Sequence, residues 1–148
     1  MKELPQLTFP PIELSIRRRS DGYPVIPDKI RGGYLVLTPE EWVRRHLIGY
    51  LVSHCGAELR SILTEYPIEL NGTAQRADVV VLDNAGNAVL LAECKAADVK
   101  IDKEVLSQAV RYNSVLKARY IVLTNGRKHY CYEQTESGPV PLKEFPRL

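Results

Sequence analysis

RADVVVLDNAGNAVLLAECK, residues 76–95, is the stretch that decides the fold expected for this chain. It contains two apolar runs, residues 79–82 and 88–92, and the first is rich in β-branched valine. Between them lies DNAGN, a cluster of residues that favour turns. Two such runs joined by a short turn predict a β-hairpin.

Three charged residues are expected to meet where the two strands of this hairpin end. Folding the hairpin about residues 85 and 86 brings Asp78 opposite or nearly opposite Glu93, whichever of two adjacent registers forms. Side chains alternate along a strand, so Lys95 shares the face of Glu93 while Cys94 points away. Charged groups at the end of an apolar hairpin are costly unless something compensates them. A divalent cation such as Mg²⁺ would do so; a surface hairpin with an ion pair between Glu93 and Lys95 is the alternative.

Length and composition indicate one globular domain. The chain has 148 residues, of which 45% are hydrophobic and 26% charged, with a net charge of +2. That charge neither predicts nor excludes binding to nucleic acid. No apolar run reaches the ~20 residues of a membrane helix, and the N-terminus lacks a signal-peptide core, so a cytoplasmic protein without membrane association is expected. Cys55, Cys94 and Cys131 are widely spaced, which argues against a disulfide framework or a zinc site.

Residues 1–37 are expected to form an N-terminal β extension packed on the core. Residues 1–11 are proline-rich and indicate extended chain, and the sequence predicts strands at 12–19, 23–26 and 31–37. The basic run 17–19 is expected to be a solvated strand end, with a phosphate contact as the alternative.

The first helix is expected to begin after Thr38, a good N-cap that is followed by Pro39. Glu41 stands where it would complete a capping box with Thr38. Apolar residues then recur at spacings of three and four residues, and the helix is expected to end near residues 55–56.

The sequence predicts four further elements, in this order: a strand near residues 68–70, a helix at 102–117, a buried strand at 119–123 and an edge strand at 128–132. The polar segment from residue 133 onward, which includes the tail 134–148, is expected to contain neither helix nor strand. A strand, a crossover helix and a further strand predict a parallel pair, so the expected fold class is α/β with a mixed sheet. The second helix carries one stripe of residues at helical spacing: Ile101, Val105, Gln108, Tyr112 and Val115.

Four stretches resemble one group of nucleases: TPEEWVRRHL, QRADVVVLDNAGNAVLLAECKA, QAVRYN and YIVLTNGRKHYC. The order Asp, turn, Glu-x-Lys resembles the PD-(D/E)xK nuclease superfamily, with Ala77 in place of the usual proline. Together the stretches resemble the N-terminal nuclease domain of type I restriction enzyme R subunits, and especially the short bacterial proteins that contain that domain alone. The resemblance covers residues 38–131. It implies a domain at 38–133 with a restriction-endonuclease-like core, in which elements ordered αβββαβ form a mixed central sheet flanked by helices.

The resemblance also implies a metal-dependent nuclease that hydrolyses DNA phosphodiester bonds. It implies that Asp78 and Glu93 are ligands of Mg²⁺, for which Mn²⁺ could substitute, together with the backbone carbonyl of Cys94. Lys95 would be the catalytic lysine, which orients or deprotonates the attacking water.

Further side chains are implied around this centre. Glu41 would support the metal or its waters, with a capping role as its local alternative and Glu40 as a competing candidate. Gln108 and Tyr112 match the Gln-x-x-x-Tyr motif that this branch shares with RecB-type nucleases, and together with Arg76 they are expected to contact nucleic acid. The alternatives are a core amide for Gln108 and plain packing for Tyr112.

DNA is the implied partner. The chain has no G-x-x-x-x-G-K-[ST] phosphate loop, so a motor or targeting subunit is a possible second partner, and a homodimer is a third possibility. Two other functions stay open. One is a non-catalytic DNA-binding or assembly module of the same fold, and the other is a nuclease subunit that cuts only when a partner delivers DNA.

Overall fold

A small sheet precedes the rest of the structure. The computed structural model describes residues 4–148; the first residues of the predicted extension, 1–3, lie outside the described part. The small sheet is antiparallel, with strands β1 (Arg17–Arg18), β2 (Pro24–Pro27) and β3 (Tyr34–Val36). The prediction of a strand over residues 12–19 is therefore wrong for residues 12–16 and for residue 19. The ladder of β1 and β2 contains only two residue pairs, because β1 has only two residues.

A six-stranded sheet and two helices form the main body. In order across the sheet, the strands are β4 (Ile62–Leu70), β5 (Thr73–Leu82), β6 (Ala88–Cys94), β7 (Tyr120–Thr124), β8 (His129–Thr135) and β9 (Gly138–Leu142). Neighbouring strands are antiparallel except β6 and β7, which are parallel. The helices are α1 (Pro39–His54) and α2 (Lys103–Leu116), and α2 forms the crossover between the parallel strands. The order αβββαβ is thus present from α1 to β7, in a mixed α/β architecture.

The helices cover opposite faces of the large sheet. On one face α1 packs with alternate strand residues: Val79, Val81, Leu90, Ala92 and Val122. On the other face α2 packs with the residues between them: Val80, Leu91, Ile121 and Leu123. A sheet buried on both faces needs consecutive apolar side chains, which explains the uninterrupted apolar runs. Within residues 4–148, neither helix combines the length and the apolar character needed to span a membrane.

The N-terminal segment and the chain end both lie against α1. Leu7 and Phe9 are buried in the same core cluster as α1. The indole Nε1 of Trp42 donates to the carbonyl of Pro5 at 2.8 Å. At the other end of the chain, the N–H of Leu148 donates to the carbonyl that follows α1, at Cys55, at 2.7 Å.

The prolines near the end of the chain belong to a strand. The prediction that residues from 133 onward lack a strand is wrong, because β8 continues to Thr135 and β9 pairs with it. The prediction of an edge strand at 128–132 is also wrong, since β9 occupies that edge. Pro139 and Pro141 alternate in β9, and an edge strand tolerates them because only one side of its backbone joins the ladder. The same rule applies to β4 at the opposite edge, which contains Pro67. This strand begins at Ile62, well before the predicted range 68–70.

Candidate active site

The carboxylates of Asp78 and Glu93 lie together at the open end of the β5–β6 hairpin. The ladder pairs Val79 with Ala92, so the next position toward the strand ends brings Asp78 beside Glu93. The backbone N–H of Cys94 donates to Oδ2 of Asp78 at 2.8 Å. The two acids that the sequence places near each other are therefore neighbours in the structure.

The alternation of side chains along β5 is broken at Asp78. Ala77 and Val80 pack in the cluster on the α2 face, whereas Val79 packs in the cluster on the α1 face. On the adjacent strand, Glu65 has a φ of 51°. The described ladder of β4 and β5 has pairs on either side of Glu65 and Asp78 but none between these two residues. A positive φ is uncommon outside glycine, and at this irregular point the Asp78 carboxylate turns toward β6.

Glu93 is a buried acid beside a second acid. It is 7% exposed, and its Oε1 is buried without a hydrogen-bond partner among the described residues. Burial, followed by the hydrogen bond and the negative charge of Asp78, raises the pKa of Glu93, and the positive charge of Lys95 opposes this only in part. Buried polar atoms normally have a partner, so Oε1 of Glu93 has room for a donor or a cation that the described residues do not supply.

Cys94 and Lys95 follow Glu93 at the end of β6. The thiol of Cys94 packs in the α1 cluster, and burial raises its pKa well above the usual range. The thiol is therefore a protonated core group near neutral pH, and a ligand role would fall to its backbone carbonyl. Lys95 is half-buried. Its backbone N–H donates to the carbonyl of Thr124 at 2.9 Å, and this bond holds the end of β6 against β7.

The available oxygen donors suit a hard divalent cation. Mg²⁺ is usually held by one or two carboxylates, and waters and substrate phosphates complete its shell. Asp78 and Glu93 supply two carboxylates, and a cation would relieve their repulsion and give the buried Oε1 of Glu93 a partner. Among residues 4–148, no three Cys, His, Asp or Glu side chains converge as a metal-binding group. A fully protein-ligated structural site, such as one for zinc, is therefore not indicated.

Glu41 does not close the predicted capping box. Thr38 caps α1 by accepting the N–H of Glu41 at 3.1 Å, but the N–H of Thr38 donates to the carbonyl of Val36. Both carboxylate oxygens of Glu41 instead accept hydrogen bonds from the guanidinium of Arg44, one turn along the helix. The two side chains are buried. The capping-box prediction is wrong because a charged, forked donor inside the protein binds a carboxylate more strongly than one backbone amide does.

Arg44 joins three elements next to the acid pair. Besides Glu41 on α1, its Nη1 donates to Oε1 of Glu65 on β4 at 2.6 Å and to the carbonyl of Asp78 on β5 at 3.4 Å. Burial disfavours the charge, but the hydrogen bonds and charges of Glu41 and Glu65 outweigh it and raise the pKa of Arg44. Arg44 is thus a fixed positive charge at the irregular point of the β4–β5 ladder.

Gln108 and Tyr112 of α2 form a hydrogen-bonded chain that reaches the sheet. Nε2 of Gln108 donates to the hydroxyl of Tyr112 at 2.9 Å, and that hydroxyl donates to Oε1 of Gln75 on β5 at 3.2 Å. Burial, followed by the charge of Glu93, raises the pKa of Tyr112, so the ring lies within electrostatic reach of the acid pair. Val115, at the end of the stripe on α2, is 45% exposed.

An open groove of about 690 Å³ runs from Lys95 along the first turns of α2. Gln108 lies on its wall. Arg76 lies outside this groove, exposed on β5 beside Gln75, in a shallow depression next to β4. The charged residues that line the groove are Lys95, Lys100, Arg111, Asp102 and Glu104.

Sequence reasoning alone does not single out Arg44, Glu65 or Gln75. Arg44 follows Glu41 by three residues, a helical spacing at which an ion pair could have been expected. Glu65 meets Arg44 across 21 positions of the sequence, and its positive φ has no sequence signature. Gln75 lies in a polar stretch after the Asn71-Gly72 turn, with no pattern that marks it.

One protein family matches most of the chain. The model of the family described as type I restriction enzyme R protein N terminus matches residues 39–146. This range includes both helices, the whole six-stranded sheet and every residue of the site described above. A search of curated proteins found no match. Because the family match spans well over half of the sequence, this chain belongs to the family of type I restriction enzyme R protein N termini.

Proposed function

We propose that the chain is a metal-dependent nuclease that hydrolyses phosphodiester bonds of DNA, with a restriction-endonuclease-like core of the PD-(D/E)xK superfamily from α1 to β7. The observation that carries the proposal is the pairing of Asp78 with Glu93, whose buried Oε1 has no partner among the described residues. Lys95 lies two residues beyond Glu93, which is the Glu-x-Lys spacing of the nuclease motif that this sequence resembles. Membership of a restriction-enzyme family supports the same reading.

Asp78, Glu93 and the backbone carbonyl of Cys94 would hold Mg²⁺, with Mn²⁺ as a substitute. When bound, the ion supplies Lewis acidity toward a phosphate oxygen and lowers the pKa of a water molecule. One oxygen of Asp78 is oriented by the N–H of Cys94, and the carboxylate keeps further lone pairs for a ligand. Glu93 would bind in its deprotonated form, so its raised pKa favours loading at higher pH.

Lys95 is suited to position the reacting groups. In hydrolysis a water oxygen adds to phosphorus while a P–O ester bond breaks. One proton leaves the water, and the departing oxygen gains one. The ammonium of Lys95 next to Glu93 could hold the attacking water or a phosphate oxygen by a charge-assisted hydrogen bond. Orientation of that kind, together with proton transfer, commonly contributes a factor of about 10²–10⁴ to the rate.

The chain of Gln75, Tyr112 and Gln108 supports a contact with the DNA backbone. Amide and hydroxyl groups are suited to phosphate and sugar oxygens, and such contacts fix the position of DNA without reading its sequence. Arg76, exposed next to Gln75, would add a positive charge for a phosphate. These side chains would hold a strand across the end of the hairpin, with its scissile bond near Lys95.

A nuclease that needs a partner is the second candidate function. The matched family is described as the N terminus of the type I restriction enzyme R protein, that is, as one part of a larger protein. The net charge of +2 and the mixed charges of the groove give weak attraction to DNA. A motor or targeting subunit that delivers DNA would supply the missing affinity. A non-catalytic binding or assembly module has less support, since it needs no buried acid pair.

A plasmid-cleavage assay tests the proposal. Wild-type protein is incubated with supercoiled DNA in Mg²⁺ or Mn²⁺, and in EDTA. We expect metal-dependent nicking that falls at least about 100-fold in Lys95→Ala. Lys100→Ala is the matched control, because it removes a lysine from the same groove and should cut nearly as wild type does. Cleavage that persists in EDTA, or that survives in Lys95→Ala, would contradict the proposal.

A further inference from the structure

An open cavity of about 510 Å³ lies beside α1 and shares no lining residue with the groove at Lys95. It forms where the small sheet ends: the ladder of β1 and β2 stops at Arg17 and Val25, and beyond it residues 12–15 and Pro27 line the cavity. The apolar lining residues are Ile12, Leu14, Pro27, Ile48, Val52 and Leu59. Pockets for small molecules typically have about 300–1,000 Å³ and mainly apolar walls with a few polar groups.

Arg45 is a buried charge in the wall of this cavity. It is 9% exposed, its Nη2 donates to the carbonyl of Pro27 at 2.8 Å, and its Nε is buried without a partner among residues 4–148. No carboxylate in that part of the chain forms an ion pair with Arg45. Its neighbour Arg44, by contrast, pairs with both Glu41 and Glu65. A buried charge is costly without a counter-charge, so Arg45 is suited to an anion from outside the chain.

The other charged residues of the lining limit the kind of anion. Lys29 adds a second positive charge and Glu13 a negative one, and both side chains are exposed, where solvent and salt screen them. The buried charge that an anion would neutralise is therefore the single charge of Arg45. A carboxylate carries one negative charge and matches the planar fork of a guanidinium.

We propose that this cavity binds a small organic acid with one carboxylate and an apolar body. The carboxylate pairs with the guanidinium of Arg45, and the apolar body lies between α1 and residues 12–15. The burial of apolar surface and the neutralised charge both favour this ligand. The inference does not depend on the proposed nuclease function, because the two sites share no residue.

Titration of the full chain with sodium octanoate, followed by two-dimensional amide NMR, tests this inference. Octanoate should saturate one site with a Kd below about 1 mM and should shift the amide signal of Gly49, which lines the cavity. Octanol has the same chain without the charge. It should bind at least about tenfold more weakly, because it cannot pair with Arg45.

Two variants locate the binding. Arg45→Gln removes the charge and keeps a donor for the carbonyl of Pro27, and Val52→Glu adds a negative charge to the lining at a side chain that is 39% exposed. Each should weaken octanoate binding at least about tenfold. Val115→Glu is the matched control, since it makes the same change at an exposed position on α2 and should bind octanoate as wild type does.

The inference is overturned by three results: no saturable binding to wild type, octanol that binds as tightly as octanoate, or equal octanoate affinity in wild type and Val52→Glu. If Arg45→Gln does not fold, Val52→Glu decides, because its side chain is exposed. Acetyl-leucyl-leucine, which has a free carboxylate, is a competing probe. If it binds more tightly than octanoate, the cavity takes the chain end of a partner protein and the inference of a small acid is wrong. All of these results leave the nuclease proposal intact.

Discussion

The backbone N–H of Cys94 donates to Oδ2 of Asp78, at 2.8 Å, just beyond the last residue pair at the open end of the β5–β6 ladder. This bond fixes the carboxylate of Asp78 against the backbone of β6, the strand that carries the second acid, Glu93. An asparagine at position 78 could still accept it through its amide oxygen. The charge of Asp78 can therefore be removed while the hydrogen bond that orients the side chain is kept.

Glu93 should make the stability of the metal-free protein fall as pH rises. Its pKa is raised above the usual 4.5, so between that pH and its folded-state pKa the folded chain keeps a proton that the unfolded chain has lost. The unfolded state then binds fewer protons, and stability falls by at most about 1.4 kcal/mol per pH unit from this group. Glu93→Gln has no carboxyl group to titrate at this position. In EDTA, the free energy of unfolding of the variant relative to that of wild type should therefore rise from pH 5 to pH 8.

Urea denaturation at several pH values measures this difference. Glu69→Gln is the control, because Glu69 is exposed on β4 and should leave the pH dependence of wild type unchanged. Equal pH dependence in wild type and Glu93→Gln would show that Glu93 titrates normally in the folded protein.

Glu41→Gln should destabilise the fold because it removes the charge that faces Arg44. A hydrogen bond to a charged group contributes about 1.5–3 kcal/mol, and glutamine keeps part of the contact, so we expect a loss of about 2 kcal/mol. For a domain of this size that corresponds to a fall of about 4–8 °C in Tm. Glu40→Gln, in the same helical turn but exposed, should change Tm little. Equal Tm values for both variants would instead support a capping role, which glutamine can fill.

Tyr112→Phe should weaken DNA binding while the protein stays folded. The substitution removes the hydroxyl that links Gln108 to Gln75, at a cost of about 1 kcal/mol in stability. If the chain contacts the DNA backbone, affinity for a short duplex should fall severalfold in fluorescence anisotropy. Tyr66→Phe is the control, since Tyr66 packs against the same core cluster. DNA affinity that drops equally in both variants would contradict a specific role of Tyr112.

Gln108→Leu should keep or raise Tm while it lowers DNA binding or cleavage. Gln108 is half-buried on α2, and a leucine in its place would add apolar area to that helix without leaving an unpaired amide. The measurement is a thermal melt beside the same anisotropy assay. A variant that melts higher and binds and cuts DNA as wild type does would assign Gln108 to packing alone.

Local signals made much of the fold predictable. The β5–β6 hairpin and both helices follow from periodicity and turn residues that lie close together in sequence. The start of α1 is an example, since Thr38 accepts the N–H of Glu41 as its position before Pro39 predicts. The strand β9 could not be predicted this way, because Pro139 and Pro141 indicate a break unless the strand is known to lie at an edge.

The site was less predictable where contacts join distant parts of the chain. The proximity of Asp78 to Glu93 follows from hairpin geometry alone. The contact of Arg44 with Glu65 depends on how α1 crosses the sheet and on a left-handed residue within β4, and neither has a local sequence signal. Glu41 illustrates the difference: its position fits a local cap, but a tertiary partner takes its carboxylate.

Titration with Mn²⁺ tests the central claim, that Asp78 and Glu93 hold the divalent ion, without any need for DNA or a partner subunit. Calorimetry on wild type should show saturable binding that strengthens as pH rises from 6 to 8. Asp78→Asn should keep the wild-type circular dichroism spectrum and lose at least about tenfold in affinity, the loss expected for about 1.4 kcal/mol. Asp98→Asn, at an exposed position in the loop after β6, should bind as wild type does. Equal Mn²⁺ affinity in wild type and Asp78→Asn would contradict the account.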